Sequence, residues 1–180
     1  MQFHATPYDI HATGFYFENA DEFAEKAAAH RNEFGEPVEE YEIQFIDGDD
    51  EEAKLVEACG INQANLAAVI DFIDGLTDDA ARAAAWYAMQ CNGMSFDDVA
   101  RMDEDDLSGM ICHQCDEISE EKAIEDYAYQ LVDDCGYLDG VPDTVARYFD
   151  YEAFARDLRL GGDVSAFEFG GTMYVFDNHA

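Results

Sequence analysis

Cys112-His113-Gln114-Cys115 is the spacing in this chain that best suits a reactive thiol pair or a metal. A tetrahedral zinc site needs a second pair of ligands at comparable spacing. The other thiols, Cys59, Cys91 and Cys135, stand singly. A redox pair normally opens a helix, where the dipole lowers the thiol pKa, whereas this pair lies in a strand-like stretch. The cysteines are therefore read as reduced structural thiols. His4, His11, His30, His113 and His179 are scattered, with no His-x-x-x-His pair. Asp47-Gly48-Asp49-Asp50-Glu51 has the acid density of a calcium loop but lacks Gly at the sixth position and Glu at the twelfth. There is no G-x-S-x-G elbow, P-loop or dinucleotide glycine fingerprint. No catalytic centre, metal or cofactor is expected.

What remains is charge. The chain has 42 Asp and Glu against 9 Lys and Arg, a net charge of −33 over 180 residues. Residues 1–60 hold 16 acids and 3 bases, 61–108 hold 10 and 2, and 109–180 hold 16 and 4, so there is no acidic tail. Repulsion of this size opposes compactness, and an ordinary enzyme has no reason to accumulate it. Disordered chains are also acidic, but they are poor in aromatics. This one has 13 Phe and 10 Tyr and can build a core. Duplex DNA carries one negative charge per ~1.7 Å, so 33 charges match roughly 56 Å of duplex, on the order of 16 base pairs. The charge suggests a protein that competes with nucleic acid for a basic cleft. A halophile-type protein, or one that binds histone-like partners, has similar bulk composition and is the alternative. No nucleic acid and no anionic membrane surface is expected to bind. The N-terminus has no basic region followed by an apolar stretch, so no signal peptide is expected and a cytoplasmic location is.

The elements that carry this charge read as α+β. Strands are expected at 2–6, 13–17 and 40–46, the last alternating Tyr41, Ile43 and Phe45 with Glu42 and Gln44. Asn19 caps a helix through Ala29. Residues 48–52 read as an acidic linker. A helical middle follows, with helices capped by Asn62, Thr77 and Ser95, the first burying Leu66, Val69, Ile70 and Ile73. Residues 103–106 read as a second acidic break. A strand is expected at 110–118, then a helix capped by Ser119 with a stripe of Ile124, Tyr127, Ala128, Leu131 and Cys135. A helix start at Pro142, a helix from Asp150 to about 160 and a hairpin turning on Gly170-Gly171 complete the chain. The expected division is an α+β domain at 1–50, a helical domain at 51–108 and an α+β domain at 109–180.

The run Tyr148-Phe149-Asp150-Tyr151-Glu152-Ala153-Phe154-Ala155-Arg156-Asp157-Leu158 resembles the antirestriction motif of the ArdA family, as does the preceding loop from Gly136-Tyr137-Leu138 to Pro142. The resemblance covers roughly residues 116–176, and Glu39-Glu40-Tyr41-Glu42-Ile43 is similar to the family's acidic aromatic strand. It implies an elongated, non-enzymatic protein of three small domains, carried on mobile genetic elements and without a cofactor. Such a protein mimics bent B-form DNA in the binding groove of type I restriction–modification enzymes and dimerises through its C-terminal part. On that resemblance the mimic acids are assigned to Glu39, Glu40, Glu42, Asp47, Asp71, Asp74, Asp126, Asp133, Asp139 and Asp143. The dimer and motif residues are Tyr137, Leu138, Pro142, Tyr148, Phe149, Tyr151, Phe154 and Arg156. The motif's rings can equally form a small core.

Overall fold

The computed structural model describes residues 1–116 and 119–179. Among them the chain is mixed α+β, with nine helices and two three-stranded antiparallel sheets. It packs as two compact units, Met1–Met102 and Asp103–Ala180.

The first unit opens with β1 (Gln2–Pro7), β2 (Phe15–Phe17), α1 (Ala20–Ala29) and β3 (Tyr41–Asp47), the strands ordered β2-β1-β3. Alternation sends Phe3 and Ala5 of the central strand wholly into the core. Phe3 stacks on Phe17 at 5.4 Å, and Phe17 meets Phe23 of α1 at 5.1 Å. The Asn19 side chain accepts from the Glu22 N–H, so α1 starts where the sequence places it. Tyr41 is buried; its hydroxyl donates to the Val38 carbonyl at 3.0 Å, and burial pushes the phenol pKa up. β2 is approached through Gly14, where an added Cβ would lie 2.6 Å from the Ala5 carbonyl oxygen and would also strike the His4 ring. Gly14→Ala should therefore cost about 1–3 kcal/mol of stability, read as a lower denaturation midpoint. Gly75→Ala meets open space and should not be destabilising.

The rest of this unit is helical: α2 (Asp50–Cys59), α3 (Leu66–Gly75), α4 (Asp79–Gln90) and α5 (Phe96–Val99). Fully buried Ala81, Ala83, Ala84, Ala85 and Ala88 present small side chains that let neighbouring helices approach α4 closely. The Gln63 amide ties this part to the sheet. It accepts from the Tyr41 N–H at 2.9 Å and donates to the Glu39 carbonyl at 2.8 Å.

Three expectations are corrected here. The stretch 48–52 is a helix start: Asp49 accepts from the Glu52 N–H at 2.7 Å, and the Glu52 carboxylate accepts from the Asp49 N–H at 3.1 Å. Unpaired N–H groups and the dipole make a first helical turn a favourable place for acids. Asn65 rather than Asn62 precedes α3; Asn62 instead accepts from the Ala64 N–H at 2.9 Å in the turn before it. Asp78 rather than Thr77 caps α4, accepting from the Ala81 N–H at 2.9 Å.

The second unit contains α6 (Glu104–Ser108), β4 (Ile111–Cys115), α7 (Glu120–Asp134), α8 (Asp143–Ala146), α9 (Tyr151–Gly161), β5 (Val164–Phe169) and β6 (Thr172–Asp177). Residues 103–106, read as a break, start α6 with Asp103 as its cap. β4 is shorter than the expected strand, whose residues 117–118 lie outside the described residues. The sheet order is β4-β6-β5, and the hairpin turns on Gly170 (φ 59°) and Gly171 (φ 83°), which suits a primed turn. α7 and α9 bury Ile124, Ala128 and Ala155 against Val164, Met173 and Val175. This sets the motif helix α9 on a firm base.

Candidate functional site

Acids dominate the surface of both units. Of the 41 acids among the described residues 33 are exposed, and no charged side chain is buried. The first unit carries 22 acids against 5 bases, the second 20 against 4. Glu42 and Asp47 lie on β3 with Glu39 and Glu40 just before it; Asp71 and Asp74 lie on α3. Asp126 and Asp133 lie on α7, Asp139 in the following loop and Asp143 at the start of α8. All are exposed except Asp126, which is half-buried and paired with Lys122 at 2.8 Å. The ten are spread over a strand, helices and a loop in two units.

Local pairing uses up much of the positive charge. Lys26 holds Glu22 at 2.7 Å, Arg101 holds Asp98 at 3.2 Å, and Arg82 lies 3.8 Å from Glu51. Lys26 and the Glu18 N–H keep the Glu22 carboxyl below its ordinary range. Asn32 and the His11 N–H do the same for Asp9. A carboxyl lowered in the folded state stabilises above its unfolded pKa, and that contribution is lost as pH falls through the folded value. These exposed pairs are weak. Their effect is to leave the remaining carboxylates uncompensated.

The thiols do not assemble into a centre. A register irregularity between Ile111 and His113 interrupts the alternation of β4, and Cys112 and Cys115 both pack, half-buried, against the core of the second unit as structural thiols. Among the described residues no group of three or more His, Cys, Asp or Glu is arranged to hold a metal. Burial pushes Cys112 up to about 11 and Cys59 up to about 12. Exposed Cys91 and Cys135 should therefore react with a thiol reagent in the folded protein, and Cys59 only on unfolding. Timed labelling with mass spectrometry checks this.

The motif, by contrast, is brought together. Tyr151 stacks on Tyr129 at 3.8 Å, meets Phe149 at 4.8 Å, and Phe149 meets Phe154 at 5.7 Å. Phe154 meets Tyr137 at 6.2 Å, closing a continuous row of five rings. Phe149, Tyr151 and Phe154 are half-buried, as is Leu138; Tyr129, Tyr137 and Tyr148 are 48%, 56% and 80% exposed. Arg147 lies over the Tyr148 ring at 5.8 Å. Pro142 directly precedes α8 as its cap. Arg156 and Arg159 line a groove of about 300 Å³ between α7 and α9, facing Glu121, Glu125 and Glu152. Tyr129, outside the motif, joins this row, and Val145 and Leu160 are also exposed.

Such a surface can bind a cationic partner by field and contact. Among the described residues no helix is long and apolar enough to cross a membrane. No curated protein and no solved structure matches the chain at a significant level. A profile described as antirestriction protein (ArdA) matches residues 10–172, well beyond the motif-bearing stretch. Proteins of that description are inhibitors rather than enzymes. The match spans most of the 180 residues, and the chain belongs to the ArdA family of antirestriction proteins.

Proposed function

We propose that this protein inhibits type I restriction–modification enzymes by occupying the DNA-binding groove of their methyltransferase core, its carboxylates standing in for the phosphates of B-form DNA. Restriction is blocked, and modification with it where the same groove serves both. The protein acts in the cytoplasm as a homodimer, with no cofactor and no catalysis, and does not itself bind nucleic acid or membranes. Its chain is organised as three segments, 1–50, 51–108 and 109–180. The observation that carries the reading is the exposure of 33 acids spread over both units, with none of the described acids buried. A basic groove built for a duplex gains its affinity from many phosphate contacts, and only a distributed array can replace them.

Redundancy follows. Asp74 is one exposed acid among many. Asp74→Asn should weaken binding less than about fivefold, as for an exposed pair. Titration of a purified type I enzyme with each variant tests this. One surface substitution that abolished inhibition in a folded protein would point to a discrete site instead.

A further inference from the structure

We infer that the two loops at residues 8–12 and 32–36 form a rigid apolar tip that docks into an apolar pocket set within a basic protein surface. The inference rests on the proposed inhibition of a DNA-binding enzyme and adds a contact that charge cannot supply.

Ile10 is 89% exposed, and Tyr8 and Phe34 are each 66% exposed. Large apolar side chains held out in one place mark interaction sites. They are not on floppy chain. Asp9 accepts from the His11 N–H at 2.9 Å and from the Asn32 side-chain amide at 2.9 Å. The Asn32 carbonyl oxygen of the side chain accepts from the N–H groups of Phe34 at 3.0 Å and Glu36 at 2.9 Å. The Glu33 N–H donates to the His11 carbonyl at 3.0 Å, and the Tyr8 N–H donates to the Glu40 carbonyl at 3.1 Å. The His11 ring packs edge-on to Phe34 at 4.9 Å, and its Nδ1 contacts the Glu33 carboxylate. Two loops more than twenty residues apart in sequence are thus braced into one piece. A braced loop loses little entropy on docking.

Charge decides what docks. Glu33, Glu36, Glu39 and Glu40 stand exposed around the tip. Arg31, the cation nearest in sequence, turns its guanidinium onto the carbonyls of Ala28 at 3.0 Å and His30 at 2.7 Å. A second acidic copy, an anionic bilayer and nucleic acid are all repelled by this rim. A basic protein surface is attracted, and an apolar pocket in it accepts the side chains. Salt then separates the two contributions, since screening weakens the charge contacts and leaves apolar burial intact.

The test is the double variant Ile10→Ser/Phe34→Ser, both positions being exposed enough to leave the fold unchanged by circular dichroism. Binding to the methyltransferase core of a purified type I enzyme is measured across a salt series, beside binding to polylysine. At high salt the variant should bind the enzyme about tenfold or more weakly than the parent. Polylysine, which has no pocket, should bind both equally. Equal enzyme binding by parent and variant at every salt concentration overturns the tip and leaves the inhibition reading standing. A matching loss toward polylysine overturns it too, by showing that the loops act through charge or folding. Binding to phosphatidylcholine–phosphatidylserine vesicles that the variant loses would assign the tip to a membrane. A parent that fails to bind any type I enzyme at low salt sinks the inhibition reading, and the tip with it.

Discussion

Tyr137→Glu/Tyr148→Glu should convert the proposed two-fold dimer into a monomer while leaving the far-ultraviolet dichroism unchanged. Tyr137 and Tyr148 are exposed, yet they sit at the edge of the ring row and on the Arg147 guanidinium. Elsewhere each copy repels the other. Association through this surface needs apolar burial together with local positive charge, and Arg147, Arg156 and Arg159 supply three of only nine bases. Two aromatics per copy lost from the proposed interface, with a charge put in their place, should cost about 3 kcal/mol of dimer free energy or more. Phe149 and Phe154 make poorer probes. Each touches other rings of the row and is half-buried, so a charge there disturbs α9 as well as any partner. Sedimentation reads the result. An unmodified protein that sediments as a monomer at micromolar concentration in moderate salt shows that the interface assignment is wrong, and a monomer that inhibits fully shows that one copy suffices.

Neutralising acids in blocks should have the second large effect. Changing Glu39, Glu40, Glu42 and Asp47 to their amides removes four exposed charges from one edge of the first sheet. At ~50 mM salt inhibition should fall about ten- to hundredfold, and by ~0.5 M the difference should largely vanish, because each lost contact flattens the salt dependence. The block Asp126, Asp133, Asp139 and Asp143 in the second unit should behave alike but more mildly. Asp126 already has its charge answered by Lys122. Inhibition that collapsed with one block and ignored the other, in folded proteins, would speak against a distributed mimic.

Periodicity and caps made much of the fold legible. The alternation in 41–45 places Tyr41 and Ile43 inside and Glu42 and Gln44 outside, as the structure has them. Asn19, Ser95 and Ser119 cap the helices expected of them. Two of the differences share a cause. Acidic runs at 49–52 and 103–106 look like solvated linkers, but each is a cap followed by a first turn, where N–H groups welcome carboxylates. On α7 the buried face is Ala123, Ile124, Ala128 and Val132, rotated from the expected stripe, and Cys135 lies exposed at the cap. Tyr129 therefore emerges toward Tyr151, which no motif signalled. The braced tip was illegible because its key bond joins Asn32 to Asp9, and contacts between distant loops leave no periodic trace.

Competition for the groove tests mimicry most directly. A labelled target duplex is bound to the methyltransferase core of a purified type I enzyme, and this protein is titrated in. The account predicts complete displacement of the duplex, with no complex holding both, and a displacement midpoint that rises steeply with salt. A stable complex of enzyme, duplex and this protein together, or inhibition of cleavage with the duplex still bound, would contradict it.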